Sequence, residues 1–230
     1  MKNTELVTVK ALYDLKHTEA SQLLESVTYP WEALSEIERY IKIIGLQLDK
    51  NPDYIKKSEN VWIHKTAKVW DSAFFGENVI IGANTEVRQC AFIRGNAIVG
   101  QDCVIGNSTE LKNVIIFDHV EVPHYNYVGD SILGYHSHMG AGSITSNVKA
   151  DRMPVVVKGY DDFSDINIET GRKKFGAMIG DYVEVGCNSV LNPGSVIGRH
   201  SNIYPLSPIR GYVPENSIVK TGNVIVKKND

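Results

Sequence analysis

The sequence predicts a mainly β protein built as a parallel β-helix, with a short helical segment in front and one long inserted loop. A large apolar residue recurs at every sixth position over two long stretches, and small residues stand two places before many of them. A period of six fits neither an α-helix nor a simply alternating strand, but it fits short strands joined by tight turns, three hexads to a triangular coil. The large residue of each hexad then fills the coil interior. The first stretch is Ile63, Val69, Phe75, Ile81, Val87, Ile93, Val99, Ile105, Leu111 and Phe117, and the second is Ile179, Val185, Leu191, Ile197, Ile203 and Ile209.

Residues 1–60 lack this period and form the predicted helical segment. Pro30 to Leu48 has the apolar spacing of one amphipathic helix, and Pro30 suits its first turn. Trp31 and Ile37 lie on the apolar face, so they either pack within the chain or add to a contact between chains. Thr18 to Val27 is predicted to be a shorter helix with Thr18 as its cap.

Residues 61–230 form the predicted β-helix domain. The stretch 148–176 abandons the period, which predicts a long insertion projecting from the solenoid, with a strand at Val155 to Lys158. Long loops on repeat scaffolds often carry function. The segment from Pro214 to Ile225 is predicted to close the last coil.

Composition excludes several classes of protein. The 230 residues carry a net charge of -3 and the pI is about 6.2, so nothing favours a nucleic acid or an anionic membrane as partner. No apolar run reaches the roughly 20 residues of a membrane span and no signal peptide is recognisable, so we expect a cytoplasmic protein. The three cysteines, Cys90, Cys103 and Cys187, lack CxxC spacing and are expected to be reduced thiols.

Two cations interrupt the repeat. Arg94 and Lys112 follow Gly76 at intervals of 18 residues, which is one coil, so we expect them to stack about 4.8 Å apart. Stacked like charges indicate either a solvated basic face or a site for an anion such as phosphate. His124 stands 12 residues after Lys112, on a different side of the triangle, and the register is predicted to slip by one around Pro123.

The sequence after the slip resembles a known family. The matching stretches are His124 to Asp130, Leu133-Gly134, Met139 to Asn147 and Gly171 to Gly180. They are similar to hexapeptide-repeat, left-handed β-helix acyltransferases, above all to the acetyltransferase domain of bifunctional glucosamine-1-phosphate acetyltransferase/N-acetylglucosamine-1-phosphate uridyltransferases and to archaeal sugar-phosphate relatives. The resemblance covers roughly residues 61–226. It implies a left-handed β-helix that forms a homotrimer and acetylates an amino-sugar phosphate, glucosamine 1-phosphate or galactosamine 1-phosphate, with acetyl-CoA as cosubstrate and no metal.

The resemblance also implies roles for individual residues. It places the general base on His124 and the group near the acetyl carbon on Asn147. It places acceptor binding on Arg94, Lys112, Tyr127, His138 and Lys174, and cosubstrate binding on Gly140, Ala141, Gly142 and Cys187. His138 replaces a family Asn and Cys187 a family Ser, and these departures concern the acceptor sugar more than the chemistry. About 60 residues cannot hold a nucleotidyltransferase domain, so we expect no uridylyl transfer.

Two other functions remain open at this point. His119 and His124 have the spacing of two zinc ligands in γ-class carbonic anhydrases, and His136 and His138 add imidazoles, but Ala83 and its neighbours lack the third histidine that a catalytic zinc requires. A noncatalytic assembly subunit would keep the hexads without needing the polar set above. The joint presence of that set favours the enzyme.

Overall fold

A computed structural model describes residues 2–228 and has the expected fold, a mainly β three-sided solenoid with few helices. The α-helices are α1 (Val9–Leu12), α2 (Ser21–Glu25) and α3 (Ile37–Leu48), and short 3-10 helices span Asn3–Val7, Leu15–His17, Pro30–Ser35 and Asp161–Phe163. The first strands are β1 (Tyr54–Ser58), β2 (Val61–His64), β3 (Lys68–Val69), β4 (Phe74–Ile81), β5 (Glu86–Val87), β6 (Phe92–Val99), β7 (Val104–Asn107), β8 (Glu110–Ile116), β9 (Glu121–His124), β10 (Tyr127–Leu133), β11 (His138–Met139) and β12 (Ile144–Thr145). The later strands are β13 (Val156–Lys158), β14 (Asn167–Glu169), β15 (Ala177–Ile179), β16 (Glu184–Val185), β17 (Val190–Leu191), β18 (Ser195–Ile197), β19 (Asn202–Ile203), β20 (Pro208–Ile209), β21 (Tyr212–Val213), β22 (Ser217–Lys220) and β23 (Val224–Lys227).

Parallel pairing between coils builds three faces. The first face is the sheet of β3, β5, β7, β9, β11, β16, β19 and β22. The long strands β4, β6, β8 and β10 bend round a corner and serve two faces: Tyr127 of β10 pairs with Ile144, whereas Ile132 of the same strand pairs with Met178. Their leading halves, with β12, β17 and β20, form the second face, and their trailing halves, with β2, β15, β18 and β21, form the third.

The six-residue period marks the interior of the solenoid, as predicted. Ile81, Ile93 and Ile105 are fully buried, as are most of the other residues of the two apolar series. The Phe117 side chain is buried too, but it does not point into the interior. It follows the interior residue Ile116 and packs outside the coil, with its ring 5.1 Å from that of Tyr13 in the N-terminal segment.

The register first slips where β8 pairs with β6, at Lys112, and not around Pro123. Ile93 pairs with Leu111, 18 residues on, but Gly95 pairs with Lys112, 17 residues on, and Asn107 pairs with His124, again 17 on. The expected slip around Pro123 is therefore wrong. The direct stacking of Arg94 on Lys112 is wrong for the same reason, because Lys112 lies opposite Gly95.

The third face is apolar on both sides. One side of its strands lines the interior, and the column that points outward is also buried: Trp62, Ile80, Ile98, Ile115, Ile132, Met178, Val196 and Tyr212. A sheet covered on both faces is expected to read as continuous apolar runs, and these strands do. Helix α3 crosses this column so closely that a Cβ on Gly45 would overlap the Trp62 ring. Coverage of the third face leaves the first and second faces open.

The N-terminal segment packs within the chain. Trp31 and Ile37 are 2% and 0% exposed, and the buried side chains of the segment join those of the solenoid in one cluster. The single helix expected from Pro30 to Leu48 is a 3-10 helix followed by α3, with a break at Glu36. The shorter helix begins at Ser21 rather than at Thr18, whose hydroxyl accepts a hydrogen bond from the Ala20 N–H.

The insertion folds back onto the last coils instead of projecting away. Its strands β13 and β14 form an antiparallel hairpin, which confirms a strand close to the predicted position. Val157 and Ile166 are fully buried, and the Phe163 ring lies 5.2 Å from that of Tyr212 on the third face. At the C-terminal end β22 and β23 pair in antiparallel fashion beyond β19, so a hairpin closes the first face.

The predicted domain boundary at residue 60 stays a prediction. Strand β1 pairs with β2 across it, so backbone hydrogen bonds join the two sides. Within residues 2–228, no helix combines the length and the hydropathy that crossing a bilayer requires.

Candidate active site

Three of the residues singled out from the sequence stack along the corner between the first and second faces. The N–H of Gly142 donates to the His124 carbonyl at 3.1 Å, and the N–H of Asn188 donates to the Ala141 carbonyl at 2.9 Å. His124, Ala141 and Cys187 thus occupy the same position in successive coils. The His124 and Cys187 residues are exposed along this column.

A buried amide that the sequence reasoning missed fixes this corner. The Asn126 side chain accepts a hydrogen bond from the His124 N–H at 3.0 Å and donates to the Gly140 and Ser143 carbonyls at 2.8 and 3.0 Å. Asn126 is 2% exposed, so these bonds are not replaced by water. It holds the end of β9 against the turn that carries Ala141.

The turn at Gly140 to Gly142 requires its glycines. Gly142 has a φ of +70°, and a Cβ on Gly140 would lie 2.7 Å from the backbone nitrogen of Cys187. The N–H groups of Gly140 and Gly142 are used by the ladder between coils, whereas the Ala141 N–H makes no hydrogen bond within the described residues. A free backbone donor therefore stands one coil from His124.

A second group of predicted residues meets near the corner between the second and third faces, around Asp130. Lys112 Nζ lies 2.9 and 3.0 Å from the two Asp130 carboxylate oxygens. Asn147 Nδ2 donates to Asp130 Oδ2 at 2.6 Å and to the Tyr127 hydroxyl at 3.1 Å. Asn113 Nδ2 donates to Asp130 Oδ1 at 3.0 Å. The Asp130 side chain is 3% exposed, and Lys112 retains 25% exposure.

Arg94 has a carboxylate of its own. Its Nη1 lies 3.1 Å from Glu110 Oε1, with 56% of the Arg94 side chain exposed. Each of the two cations expected to share an anion is thus paired with a different acid. The Arg94 pair is the exposed one, and exposed ion pairs hold their partners weakly. Arg94 remains available to an incoming ligand.

Burial and neighbouring charges tune the rest of this cluster. Burial raises the pKa of Tyr127, and the carboxylates of Asp130 and Glu110 raise it further, so the phenol stays protonated at neutral pH. Burial lowers the pKa of Arg172 while Asp130 opposes that shift, which places Arg172 within electrostatic reach of the same carboxylate. Arg172 was not among the predicted site residues.

Lys174 is exposed and stands where the insertion returns to the solenoid. The next residue, Phe175, donates its N–H to the Asn147 carbonyl at 3.0 Å, and its fully buried ring lies 5.6 Å from that of Trp31. The anchoring of Phe175 brings Lys174 to the Asn147 side of the second face.

His138 lies apart from both groups. It pairs with Glu121 and Glu184 in the ladder of the first face, and its Nδ1 lies 2.9 Å from Glu184 Oε2. Within one chain it faces away from Lys112 and Tyr127.

The remaining histidines line the corner between the third and first faces. The His119 and His136 rings stack at 4.7 Å, and Tyr182 and His200 continue the column. His119 precedes β9 and His124 ends it, so the two lie at opposite ends of one strand. Among residues 2–228 no three His, Cys, Asp or Glu side chains stand together as a metal site.

A basic cavity of about 600 Å³ adjoins Asn147 on the C-terminal side, between the insertion and the last coils. Ser146 is at its edge, and Lys149, Lys158 and Arg210 line it. Asp151, which pairs with Lys149 at 3.1 Å, is the one carboxylate in its lining. The cavity can therefore hold a multiply charged anion.

Comparison with known proteins finds relatives over most of the chain. The family described as the GMPPB C-terminal domain matches residues 85–161. A protein named bifunctional protein GlmU from Methanococcus maripaludis is 32% identical over 207 residues, which is 89% of this chain and 49% of the relative. The bifunctional sugar-1-phosphate nucleotidylyltransferase/acetyltransferase of Sulfurisphaera tokodaii is 32% identical over 165 residues, 71% of this chain and 40% of the relative.

The chain belongs to the hexapeptide-repeat, left-handed β-helix family. This hexapeptide-repeat protein spans about half the length of the curated relatives it matches. Among solved structures, that of AntD, an N-acyltransferase from Bacillus cereus, is 14% identical with a TM-score of 0.40 and covers 81% of this chain and 89% of its own. A likeness of that size carries no information on ligands.

Proposed function

We propose that the protein is an acetyl-CoA-dependent N-acetyltransferase that acts on an amino-sugar phosphate, glucosamine 1-phosphate or galactosamine 1-phosphate, for nucleotide-sugar biosynthesis. One observation carries the proposal. An exposed imidazole, His124, stands one coil from the free Ala141 N–H, and both flank a face on which Lys112, Tyr127 and Asn147 are held together. The relative from Sulfurisphaera tokodaii, whose name includes acetyltransferase and sugar-1-phosphate, supports it.

The reaction needs a base and an oxyanion donor. The acceptor amine attacks the thioester carbonyl carbon of acetyl-CoA while His124 takes a proton from the nitrogen. The oxyanion that forms accepts a hydrogen bond from the Ala141 N–H. When the C–S bond breaks, the CoA thiolate takes up a proton and the amide is complete. Cys187 lies along this column, and no covalent intermediate on its thiol is required.

The acceptor lies on the second face. Arg94, Lys112 and Lys174 supply positive charge for its phosphate, and Arg94 can hold two phosphate oxygens at once. The Tyr127 hydroxyl, kept protonated, donates to a sugar oxygen. Asn147 holds the amine or the thioester in line.

The donor extends along the column of Ala141 and Cys187. Its thioester meets the Gly140 to Gly142 turn, where the absence of side chains admits the close approach of a ligand. The basic cavity of Lys149, Lys158 and Arg210 lies at the opposite edge of the second face, so a CoA that crosses this face from the turn reaches it, and its size and charge suit the CoA phosphates.

The protein acts as a homotrimer. In one chain His124 and Ala141 lie at one edge of the second face, and Asp130 with Lys112 lies near the other, so the groove between them has a single wall. His138 also faces away from the acceptor of its own chain. A neighbouring solenoid against the open first and second faces supplies the second wall.

Thiol release tests the proposed function. Purified protein is mixed with acetyl-CoA and, in turn, glucosamine 1-phosphate, galactosamine 1-phosphate, glucosamine and a nucleotide-linked amino sugar, and mass spectrometry identifies the N-acetyl product. Release with a phosphorylated hexosamine is expected. Absence of release with every amine would contradict the proposal and favour a noncatalytic subunit.

A further inference from the structure

We infer that Asp130 is a positioning residue that holds Lys112 and Asn147 as one unit, and so couples acceptor binding to acetyl transfer. The inference rests on the proposed function. Asp130 belongs to no set of residues predicted from the sequence to touch a ligand, and its side chain is 3% exposed.

The backbone conformation at position 130 explains only part of why an aspartate stands there. Asn78, Asn96, Asn113 and Asp130 occupy one turn in four successive coils, with φ values of 57°, 51°, 55° and 47°. Asn and Asp both tolerate this left-handed conformation. Backbone geometry therefore explains why the column is built of such residues, but it does not explain why the last of them is an acid.

The donors around Asp130 supply the reason. Its two oxygens receive the Lys112 ammonium, the Asn113 amide and the Asn147 amide, all at 2.6 to 3.0 Å. A carboxylate only accepts hydrogen bonds, whereas an amide would turn an NH₂ group toward at least one of these donors. In the coil of Asn78 the corresponding contact runs from Asn78 Nδ2 to Asn96 Oδ1 at 3.0 Å, from one amide to another. Within this column of turn residues, the acid thus stands at the one position that receives both Lys112 and Asn147.

The arrangement leaves both partners free to act. A lysine ammonium has three donors, and two directed at Asp130 leave the third for a ligand. The Lys112 chain would otherwise lose much rotamer freedom on binding a phosphate, and prior anchoring by Asp130 lowers that cost. The Asn147 amide is fixed between Asp130 Oδ2 and the Tyr127 hydroxyl, so it faces the substrate in a single orientation.

The coupling extends to the N-terminal segment. Asn113 Nδ2, which donates to Asp130, also donates to the Leu34 carbonyl at 3.1 Å. The amide is buried, so both bonds persist. The Asp130 unit is therefore anchored to the element that covers the third face.

The test is Asp130→Asn, with Asn96→Asp as a matched control in the same turn two coils away. For Asp130→Asn we expect the acceptor KM to rise roughly tenfold and kcat to fall roughly tenfold, with the acetyl-CoA KM and the unfolding midpoint close to wild type. Asn96→Asp should leave all of these unchanged. In a double-mutant cycle, Lys112→Ala should raise the acceptor KM less in the Asp130→Asn background than in wild type.

Several outcomes would overturn the inference. They are kinetics of Asp130→Asn that match those of Asn96→Asp, a lower acceptor KM, or a loss of kcat alone in proportion to the fraction of folded protein. If wild type transfers no acetyl group, the proposed function fails, and a crystal structure of Asp130→Asn then decides the positioning role. Displaced Lys112 and Asn147 side chains would support it, and unmoved ones would exclude it.

Discussion

The His124 carbonyl accepts a hydrogen bond of 3.1 Å from the Gly142 N–H, so the imidazole-bearing strand end and the glycine turn lie in register, one coil apart. The turn places the free Ala141 N–H beside His124. The proposed base and the proposed oxyanion donor are thereby fixed relative to each other by the backbone ladder rather than by flexible side chains.

Loss of the imidazole should remove most of the activity. His124→Ala is expected to lower kcat by about 100-fold or more, because a positioned base typically contributes that much, with little change in the acetyl-CoA KM. Thiol release at saturating substrate measures it, with His200→Ala, on another corner of the solenoid, as the control. Unchanged turnover would exclude His124 as the base, and activity lost to a chelator and restored by zinc would favour the metal enzyme.

The basic cavity should affect the donor alone. Lys158→Ala and Arg210→Ala are each expected to raise the acetyl-CoA KM roughly tenfold, since a charge-assisted contact to phosphate is worth about 1.5 to 3 kcal/mol. The acceptor KM should not move. Lys65→Ala, an exposed lysine at the other end of the solenoid, is the matched control.

Donor analogues separate the phosphates of CoA. Acetyl-dephospho-CoA lacks the 3′-phosphate. If the cavity binds this group, wild type should have a lower KM for acetyl-CoA than for acetyl-dephospho-CoA, and Arg210→Ala should remove that difference. Equal KM values for both donors in wild type would show that the cavity does not contact that phosphate.

Much of the fold followed from one period, and the parts that did not have physical reasons. Large residues fill the interior at every sixth position, so Ile81, Ile93 and Ile105 could be predicted as core residues from the sequence. The outward column of the third face escaped notice because Ile80, Ile98 and Ile115 sit beside interior residues, and only the covering N-terminal segment buries them. Those apolar triplets were the available signal for where that segment packs.

The site was less completely predictable. Two successive coils are one residue short, and the first shortening left no mark on the period, because both Ile116 and Phe117 are large and buried, although only Ile116 faces inward. With a single slip assigned near Pro123, Asn96 did not align with Asn113, and the column of turn residues that ends at Asp130 was not recognised. Contacts such as Asn126 with the Gly140 carbonyl depend on neighbouring coils and are invisible in the order of residues.

The contact between the N-terminal segment and the returning insertion should contribute strongly to stability. Trp31 is 2% exposed and its ring packs 5.6 Å from Phe175. Trp31→Ala is expected to cost about 3 to 5 kcal/mol in the free energy of unfolding, measured by urea denaturation. Leu46 on α3 is 68% exposed, so Leu46→Ala should change the free energy of unfolding by less than about 0.5 kcal/mol. Equal midpoints for the two variants would contradict this packing role.

A trimer is expected in solution. Multi-angle light scattering should give about three times the chain mass of 25.6 kDa at all concentrations used in the assays. Phe74→Glu/Phe92→Glu, which places charges on the exposed aromatic pair of the second face, should weaken assembly and activity together. A monomer with full activity would contradict an active site that is formed between neighbouring chains.

The most direct measurement is kcat/KM for glucosamine 1-phosphate and for plain glucosamine, by thiol release, in wild type and in Arg94→Ala. If the second face binds an acceptor phosphate, wild type prefers the phosphorylated sugar by about tenfold or more. Arg94→Ala removes most of that preference by raising the KM of the phosphorylated sugar, while activity on glucosamine hardly changes. Equal efficiency of wild type on the two sugars, or an Arg94→Ala enzyme indistinguishable from wild type on glucosamine 1-phosphate, would contradict an amino-sugar phosphate as the substrate.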